Sequence, residues 1–480
     1  MQRTLFFRLL RQLSTRERSR FHEYVTAPFF NKNVKLIQLW EVVRNYEPDF
    51  TAADLNKTRV YPKIYGQKKY NELRLNNLIS DLLQHLYNFL AYERWSGDEV
   101  WQSAELTQAL LHRDNTLHAR RIVRRWEQQL HKSNDRSVAY FEQRVRIALA
   151  KDRLELTQNR AYSPELQAAS SNLDLAYAIH KYQMACDMLS RNRVVNANYQ
   201  VDLPDWLEQQ CATDVTWQQH SVLAIYRSTL RLLQRAKDDK AYQQLIELLD
   251  EHDTALPTEE RRTVYNYALN HCVRQINLGN TIYYRQIFEL YQTLLDREIL
   301  YQNGYLTQWT YINISAAGIR LGEYAWTESF IETYRHHLPP DEAFNVYTYT
   351  RASFYYEKQG PDRALTLLRD VEFTEAFYHA AGTGLQLKAY YDLDLSEPFY
   401  ALTEAFRQYL RRNRQLSDYQ KQSNRNFVKL IQQLQQIRTA RITLSSEDWT
   451  ERLDQFINRL RATEALSHRD WLLTRTQAIR

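Results

Sequence analysis

Apolar residues recur at steps of three and four along most of this chain, which is the spacing of a helix that buries one face. Glycine and proline fall mostly between these periodic segments, where helices would have to stop. The clearest long segment follows Gly66 and carries a single leucine stripe. The members of the stripe are Leu75, Leu78, Leu82, Leu86 and Leu90. The pattern predicts an all-α protein.

The start of the chain, residues 1–95, predicts an N-terminal helical domain. Ser14 and Glu17 have the spacing of a capping box, which satisfies the unpaired N–H groups at a helix start. Thr51 is expected to cap a short helix that Pro62 then interrupts. The basic, leucine-striped helix follows that short helix and completes the predicted domain.

From residue 201 onward the periodic segments come in pairs. The turn glycines Gly279, Gly322 and Gly360 each separate the two helices of a pair, and they lie 43 and 38 residues apart. Repeats of paired helices near that length are typical of an α-solenoid. We therefore predict an α-solenoid of antiparallel helix pairs after the N-terminal domain. The further predicted parts are a helical connector at 96–200, the repeats at 201–415 and basic C-terminal capping helices at 416–480.

Two stretches of the repeat region resemble tetratricopeptide repeats. One is Leu321-Gly322-Glu323-Tyr324 followed by Phe330 and Pro339, and the other is Tyr355-Tyr356 followed by Gly360 and Ala364-Leu365. The family's repeat is about 34 residues long, so the longer spacing here implies longer helices or looser turns. The resemblance implies a solenoid whose concave face binds a protein segment.

The chain as a whole is similar to a family of uncharacterised bacterial all-helical proteins. The similarity lies in residues 26–33, Thr-Ala-Pro-Phe-Phe-Asn-Lys-Asn, and in residues 409–413, Tyr-Leu-Arg-Arg-Asn. It implies a bacterial source and a helical architecture, and it implies no particular activity.

The turn glycines also set the register of a candidate groove. In tetratricopeptide repeats, the position nine residues before the turn lies on the first helix of each pair and faces the concave side, and we add the position two residues before the turn. Amide and guanidinium groups there suit the carbonyls and terminal carboxylate of an extended peptide, although polar residues are also common on ordinary helical surfaces. The predicted peptide-binding residues are Asn270, Asn277, Asn313, Arg320, Arg351 and Lys358, with Trp309 and Tyr347 as flat apolar contacts.

Composition narrows the function classes. Nine glycines in 480 residues are under a third of the usual share of about 7%, which argues against glycine-rich nucleotide-binding loops. The cysteines Cys186, Cys211 and Cys272 are far apart and form none of the short pairs that zinc or redox sites use. Free thiols are typical of a reducing compartment. No apolar stretch is long enough to span a membrane, and Arg8 and Arg11 interrupt the apolar N-terminal segment, unlike the core of a secretory signal. We therefore predict a cytoplasmic protein without a membrane span.

Charge is unevenly distributed along the chain. Lys and Arg minus Asp and Glu gives +10 over residues 1–200, −11 over 201–400 and +7 over 401–480. One interpretation is that the oppositely charged parts face each other across a curved superhelix or a homo-oligomer contact. The other is that a basic end binds nucleic acid or an acidic partner.

Six basic residues in the N-terminal domain are the basis of an alternative prediction, nucleic-acid binding. A short helix, a turn with glycine and a basic, Asn-rich helix can form a helix-turn-helix whose second helix enters a major groove. Three-helix cores of this kind are also common without any role in DNA binding. The candidate nucleic-acid-binding residues are Lys57, Arg59, Lys63, Lys68, Lys69 and Arg74.

Catalytic patterns are sparse. The side chains of the adjacent His336 and His337 point about 100° apart on a helix, so they chelate a metal poorly. Neither a His-x-x-x-His pair nor a glycine-flanked serine elbow occurs. We therefore predict a non-enzymatic scaffold, without cofactor or metal, that binds a protein or peptide partner. A nucleic-acid-binding or transcriptional regulator is the alternative, and a hydrolase is the third interpretation.

Overall fold

The computed structural model describes residues 1–2, 4–51, 55–156, 162–194, 198–235, 239–278, 280–369 and 371–480. These residues form helices, turns and loops, and the only strand-like feature among them is a single bridge between Gln302 and Tyr305. The prediction of an all-α protein is confirmed. Within the same residues, no helix is long and apolar enough to cross a membrane.

The chain divides into two compact units, Met1–His180 and Lys181–Arg480. The helices that begin in the first unit are α1 (Leu5–Gln12), α2 (Thr15–Thr26), α3 (Val34–Arg44), α4 (Lys57–Tyr65), α5 (Glu72–Ser96), α6 (Glu99–Leu111), α7 (Thr116–Lys132), α8 (Val138–Leu156) and α9 (Pro164–Val194). Those that begin in the second unit are α10 (Asp205–Thr213), α11 (Val215–Gln218), α12 (Ser221–Gln234), α13 (Asp239–His252), α14 (Thr258–Asn277), α15 (Tyr283–Asp296), α16 (Gln308–Leu321), α17 (Tyr324–Tyr334), α18 (Pro340–Lys358), α19 (Pro361–Leu368), α20 (Ala376–Asp392), α21 (Ser396–Arg412), α22 (Asp418–Ala440), α23 (Ser446–Ala462) and α24 (Arg469–Ile479).

Helices α1 to α5 enclose the core of the first unit. Trp40 of α3 meets the ring of Phe21 of α2 edge-on at 4.8 Å between centroids, and its Nε1–H donates to His22 Nδ1 at 3.1 Å. The predicted leucine stripe of α5 packs into this core. Its buried members are Leu75, Leu78, Leu82 and Leu86, and Leu90 is partly buried against them.

Two predictions about where helices of the first unit begin and end can be compared with the structure. The Ser14 N–H donates to Glu17 Oε2 at 2.7 Å, and Ser14 Oγ accepts from the Glu17 N–H at 3.2 Å, so the predicted capping box is confirmed. The prediction for the short helix is wrong, because Asn56 caps α4 and Pro62 lies inside it. A proline removes one N–H donor from the helix ladder, and α4 continues past it to Gly66, whose φ of 67° suits glycine.

In the second unit, each helix contacts the next one along the chain, both within the predicted pairs, as α12 with α13, and between them, as α15 with α16. The arrangement as a solenoid of pairs stays a prediction. The turns after α16 and α18 use glycines with positive φ, 75° at Gly322 and 100° at Gly360. Residues other than glycine rarely adopt a positive φ. Gly279 lies outside the described residues. Alternate helices also contact each other, α12 with α14, α16 with α18 and α18 with α20.

Buried tyrosines join neighbouring helices of the second unit through their hydroxyls. Tyr226 of α12 donates to Glu260 of α14 at 2.7 Å, and Tyr267 of α14 donates to Asp187 of α9 at 2.7 Å. Burial raises the pKa of both hydroxyls, so they remain protonated donors. The ring of each tyrosine fills the interior while its hydroxyl satisfies a carboxylate on a neighbouring helix.

Candidate functional site

The predicted peptide-binding residues lie on α14, α16 and α18. Asn270 is exposed on α14, and the side chain of Asn277 lies outside the described residues. Asn313 is exposed on α16, and its amide approaches the hydroxyl of Tyr291 on α15. The two asparagines whose side chains are described are therefore accessible to a ligand.

Trp309 and Arg320 lie at opposite ends of α16. The Trp309 ring meets the ring of Phe377 on α20 edge-on at 5.0 Å between centroids. The Arg320 guanidinium lies 3.7 Å from a carboxylate oxygen of Asp470 and 5.4 Å from the ring centroid of Tyr284. Both side chains remain about half exposed. Each therefore has a partner in the protein and a surface that a ligand can contact.

The three predicted residues of α18 meet two glutamates of α17. Lys358 Nζ donates to Glu328 Oε2 at 2.5 Å, and the Tyr347 hydroxyl donates to Glu332 at 2.9 Å. Arg351 lies 3.4 Å from a Glu332 oxygen and 5.6 Å from the Tyr347 ring centroid. The hydrogen bond from Lys358 lowers the pKa of Glu328. The structure brings these residues together at the contact between α17 and α18.

A cavity of about 390 Å³ lies along α16, α18 and α20, and we call it the Lys388 cavity. Arg320 is the predicted groove residue that lines it. Its wall mixes aromatic rings with hydrogen-bonding groups from these three helices, from the start of α17 and from the segment before α24. The lining side chains include Arg320, Tyr349, Ser353, Tyr356, Glu357, Lys388 and His468.

Lys388 of α20 places a buried cation on the wall of this cavity. The residue is 8% exposed, and its Nζ lies 4.2 Å from the ring centroid of Tyr356 and 5.9 Å from that of Trp471. A carboxylate oxygen of Glu357 lies 4.0 Å away. Burial lowers the pKa of Lys388 to about 8, because the ammonium loses hydration. The negative charges of Glu357 and Asp392 oppose that shift.

Asp392, at the end of α20, holds α24 beside the cavity. Arg475 of α24 forms a bidentate pair with it, Nε to Oδ1 at 2.7 Å and Nη2 to Oδ2 at 2.8 Å. The Tyr356 hydroxyl also donates to Asp392 and accepts from Trp471 Nε1 at 2.7 Å. Charge-assisted bidentate pairs are among the stronger polar contacts in proteins. The network therefore joins α18, α20 and α24.

His468 precedes α24 and contacts α20 at Gly384. A Cβ atom on Gly384 would lie 2.6 Å from His468 Nε2, so glycine leaves the room that the ring needs. His468 itself has a φ of 55°. Burial, and then the charge of Lys388, lower the pKa of His468 to about 3. The imidazole is therefore neutral at physiological pH.

The predicted nucleic-acid-binding residues lie on α4, on α5 and in the turn between them. Lys57 Nζ pairs with Glu72 at 2.6 Å. Lys63 and Arg74 each stand over a tyrosine ring of the same unit. The exposed members of the set are Arg59, Lys63, Lys68, Lys69 and Arg74. Basic surface is thus present, and nucleic-acid binding stays a prediction.

Across the part of the chain that the structure describes, no group of three or more His, Cys, Asp or Glu side chains is arranged to hold a metal ion. The thiols of Cys186, Cys211 and Cys272 are free and buried.

No family model, no curated protein and no solved structure matches the chain. The two family resemblances therefore stay predictions.

Sequence reasoning did not single out Lys388, His468 or Gly384. The available signal was a pair of glycines, Gly382 and Gly384, inside a periodic apolar segment, which can mark close packing by another part of the chain. Lys388 carried no comparable signal, because a lysine within a helix is usually solvated. Its burial depends on α24, which follows about 80 residues later in the chain.

Proposed function

We propose that this chain is a non-catalytic interaction scaffold, an α-solenoid of tetratricopeptide-like helix pairs that binds an extended protein segment along α16, α18 and α20. The observation that carries the proposal is the Lys388 cavity, most of whose wall comes from these three alternate helices. The contacts of α16 with α18 and of α18 with α20 support it, since neighbouring repeats of a solenoid stack in this way.

The chemistry of the wall suits a peptide. Arg320 offers guanidinium donors and Ser353 a hydroxyl, while Tyr349 and Tyr356 offer ring surface. An extended peptide presents carbonyl acceptors and alternating side chains to such a surface. On another face of α18, away from the cavity lining, Arg351 is held by a glutamate whose place an acidic peptide side chain can take.

Selection of displayed random peptides on the full chain, followed by fluorescence anisotropy with a selected peptide, tests the proposal. We expect the Arg320→Ala variant and the Asn313→Ala/Arg351→Ala double variant each to bind the peptide about tenfold or more weakly, since a hydrogen bond from a charged group contributes about 1.5–3 kcal/mol. Arg414→Ala removes an exposed arginine outside these helices and is the matched control. Circular dichroism checks that every variant keeps its helical content.

Two results would contradict the proposal. One is that the intact chain enriches no peptide above background. The other is that every peptide it enriches binds the Arg320 and Asn313/Arg351 variants as tightly as it binds the wild type.

A further inference from the structure

We propose that Lys388 is a reactive amine that condenses with a small aldehyde in the Lys388 cavity and holds it as a reversible imine. This inference goes beyond peptide binding and does not depend on it, because the ligand is a small molecule and the bond is covalent. It rests on the position of one buried amine, on the cavity beside it and on the groups that surround both.

The first observation is that Lys388 is a buried residue that lines the cavity, and that its Nζ has no hydrogen-bond partner among the described residues. The Tyr356 and Trp471 rings cover it at 4.2 and 5.9 Å, and the residue is 8% exposed. Among the described residues, no side chain or carbonyl forms a hydrogen bond with this nitrogen; the Glu357 oxygen at 4.0 Å is too distant for one. A buried amine that lacks acceptors is held less firmly in its charged form than a solvated one.

The second observation concerns the charges around Lys388, which come from α18, α20 and α24, with Arg320 of α16 on the same cavity wall. Glu357 of α18 and Asp392 of α20 favour the ammonium, while Arg475 of α24 disfavours it. His468 is neutral, as shown above, and Asp392 is already shared between Arg475 and the Tyr356 hydroxyl. The outcome is a pKa of about 8 for Lys388. Desolvation and a neighbouring cation are the two means by which proteins make lysine nucleophilic at neutral pH.

The third observation is that the amine lines a cavity of useful size. A volume of about 390 Å³ falls in the range of small-molecule sites, roughly 300–1,000 Å³. Tyr349 and Tyr356 supply ring surface and Ser353 a hydroxyl on the wall. An aromatic aldehyde therefore finds apolar contact beside the amine.

The condensation balances without any oxidant or reductant. The Nζ lone pair attacks the carbonyl carbon, a C–N bond forms, and the π electrons of the carbonyl move to its oxygen. A proton passes from nitrogen to that oxygen, and Glu357 is the carboxylate placed to carry it. A second proton lets the oxygen leave as water while the C=N bond forms, and loss of the remaining N–H proton from nitrogen replaces that proton and leaves the neutral imine. Hydrolysis reverses each step and releases the aldehyde.

Reductive trapping tests this inference on the intact chain. Benzaldehyde is the probe, and sodium cyanoborohydride delivers hydride to the imine carbon, leaving a stable secondary amine that peptide mapping by mass spectrometry locates. At about pH 7.5 we expect Lys388 to be modified at least tenfold faster than the exposed Lys69 and Lys429. Its rate should rise with pH around a midpoint near 8, well below the ordinary lysine value.

Three variants distinguish selective modification of Lys388 from the non-specific modification that any lysine undergoes. Lys388→Met abolishes modification of that peptide and leaves modification of Lys69 and Lys429 unchanged. Glu357→Gln removes the proton carrier and also lowers the pKa of Lys388, so this variant is compared with the wild type at about pH 9.5, where the amine is neutral in both proteins. There it slows modification several-fold while circular dichroism stays the same. Arg414→Ala leaves the rates unchanged. Modification of Lys388 no faster than that of the exposed lysines, or with their pH dependence, overturns the inference. Because no peptide is present, neither outcome bears on the scaffold proposal.

Discussion

Trp471 and Tyr356 are joined by a hydrogen bond across 115 residues of chain, in which the indole Nε1–H donates to the tyrosine hydroxyl oxygen at 2.7 Å. That hydroxyl donates in turn to Asp392, which also accepts from Arg475. One contact between α18 and α24 thus belongs to a network that also holds α20. Partly satisfied buried networks are costly, so the second unit should be sensitive to substitution here.

Replacing Trp471 with Phe should lower stability. The variant keeps a ring beside Lys388 but removes the donor to Tyr356, at a cost of about 1–2 kcal/mol. In a chain of 480 residues, the midpoint of thermal unfolding should fall by about 1–2 °C. Trp309→Phe, at a half-exposed ring, is the control and should move the midpoint much less. Equal midpoints for Trp471→Phe and the wild type would show that the bond contributes nothing.

Gly384→Ala should destabilise the contact between α20 and His468. The added methyl group would lie 2.6 Å from His468 Nε2, and overpacking of this kind costs about 1–3 kcal/mol. Differential scanning calorimetry measures the loss. The double variant Gly384→Ala/His468→Asn should recover part of it, since Asn is shorter and tolerates a positive φ. A single variant as stable as the wild type would contradict the close approach.

Lys388 should make stability depend on pH in one direction. Its folded pKa of about 8 lies below the ordinary value of 10.5, so between these values the unfolded chain binds the proton that the folded chain has released. The free energy of unfolding of the wild type, relative to Lys388→Met, should therefore rise as pH increases from about 7 to 10, on the order of 2 kcal/mol.

Chemical denaturation of both proteins across that pH range measures the difference. Subtracting one free energy of unfolding from the other cancels the contribution of the tyrosines and cysteines, which titrate in the same pH range in both proteins. Lys429→Met, at an exposed lysine, should show no such trend. A flat difference for Lys388→Met would mean that Lys388 titrates like a solvated lysine.

The three cysteines should be unreactive in the folded chain. Cys186, Cys211 and Cys272 are each at most 1% exposed, and burial raises the pKa of every one of these thiols. Since the thiolate is the reactive form, a disulfide reagent at mildly alkaline pH should modify them about a hundredfold more slowly than it modifies free glutathione. All three should react once guanidinium unfolds the chain. Fast modification of any cysteine in the folded state would contradict its burial.

Much of the helical framework was predictable because its signals are local. The leucine stripe from Leu75 to Leu90 follows from the 3.6-residue period of a helix, and it is buried in the structure. The turns at Gly322 and Gly360 follow from the positive φ that glycine alone adopts readily. Pro62 was misjudged, since the strength of neighbouring helix contacts, rather than the proline itself, decides whether a helix continues past it.

The candidate site was less predictable, because it depends on which helices meet. Arg320 was named from its distance to a turn glycine and does line the cavity. Arg351 and Lys358 were named by the same rule, and they contact glutamates of α17. A register counted along one helix places a residue on a face, but it does not say which neighbouring helix covers that face.

The sequence by itself determined that this protein is helical, where most helices begin and end, and that its chain offers few of the patterns that catalysis uses. Those properties depend on period, caps and turn residues, which act over a few positions. Only the tertiary structure decided that Lys388 is buried against Tyr356 and Trp471. Desolvation of a charge is set by every atom around it, and those atoms come from helices that are distant in the chain.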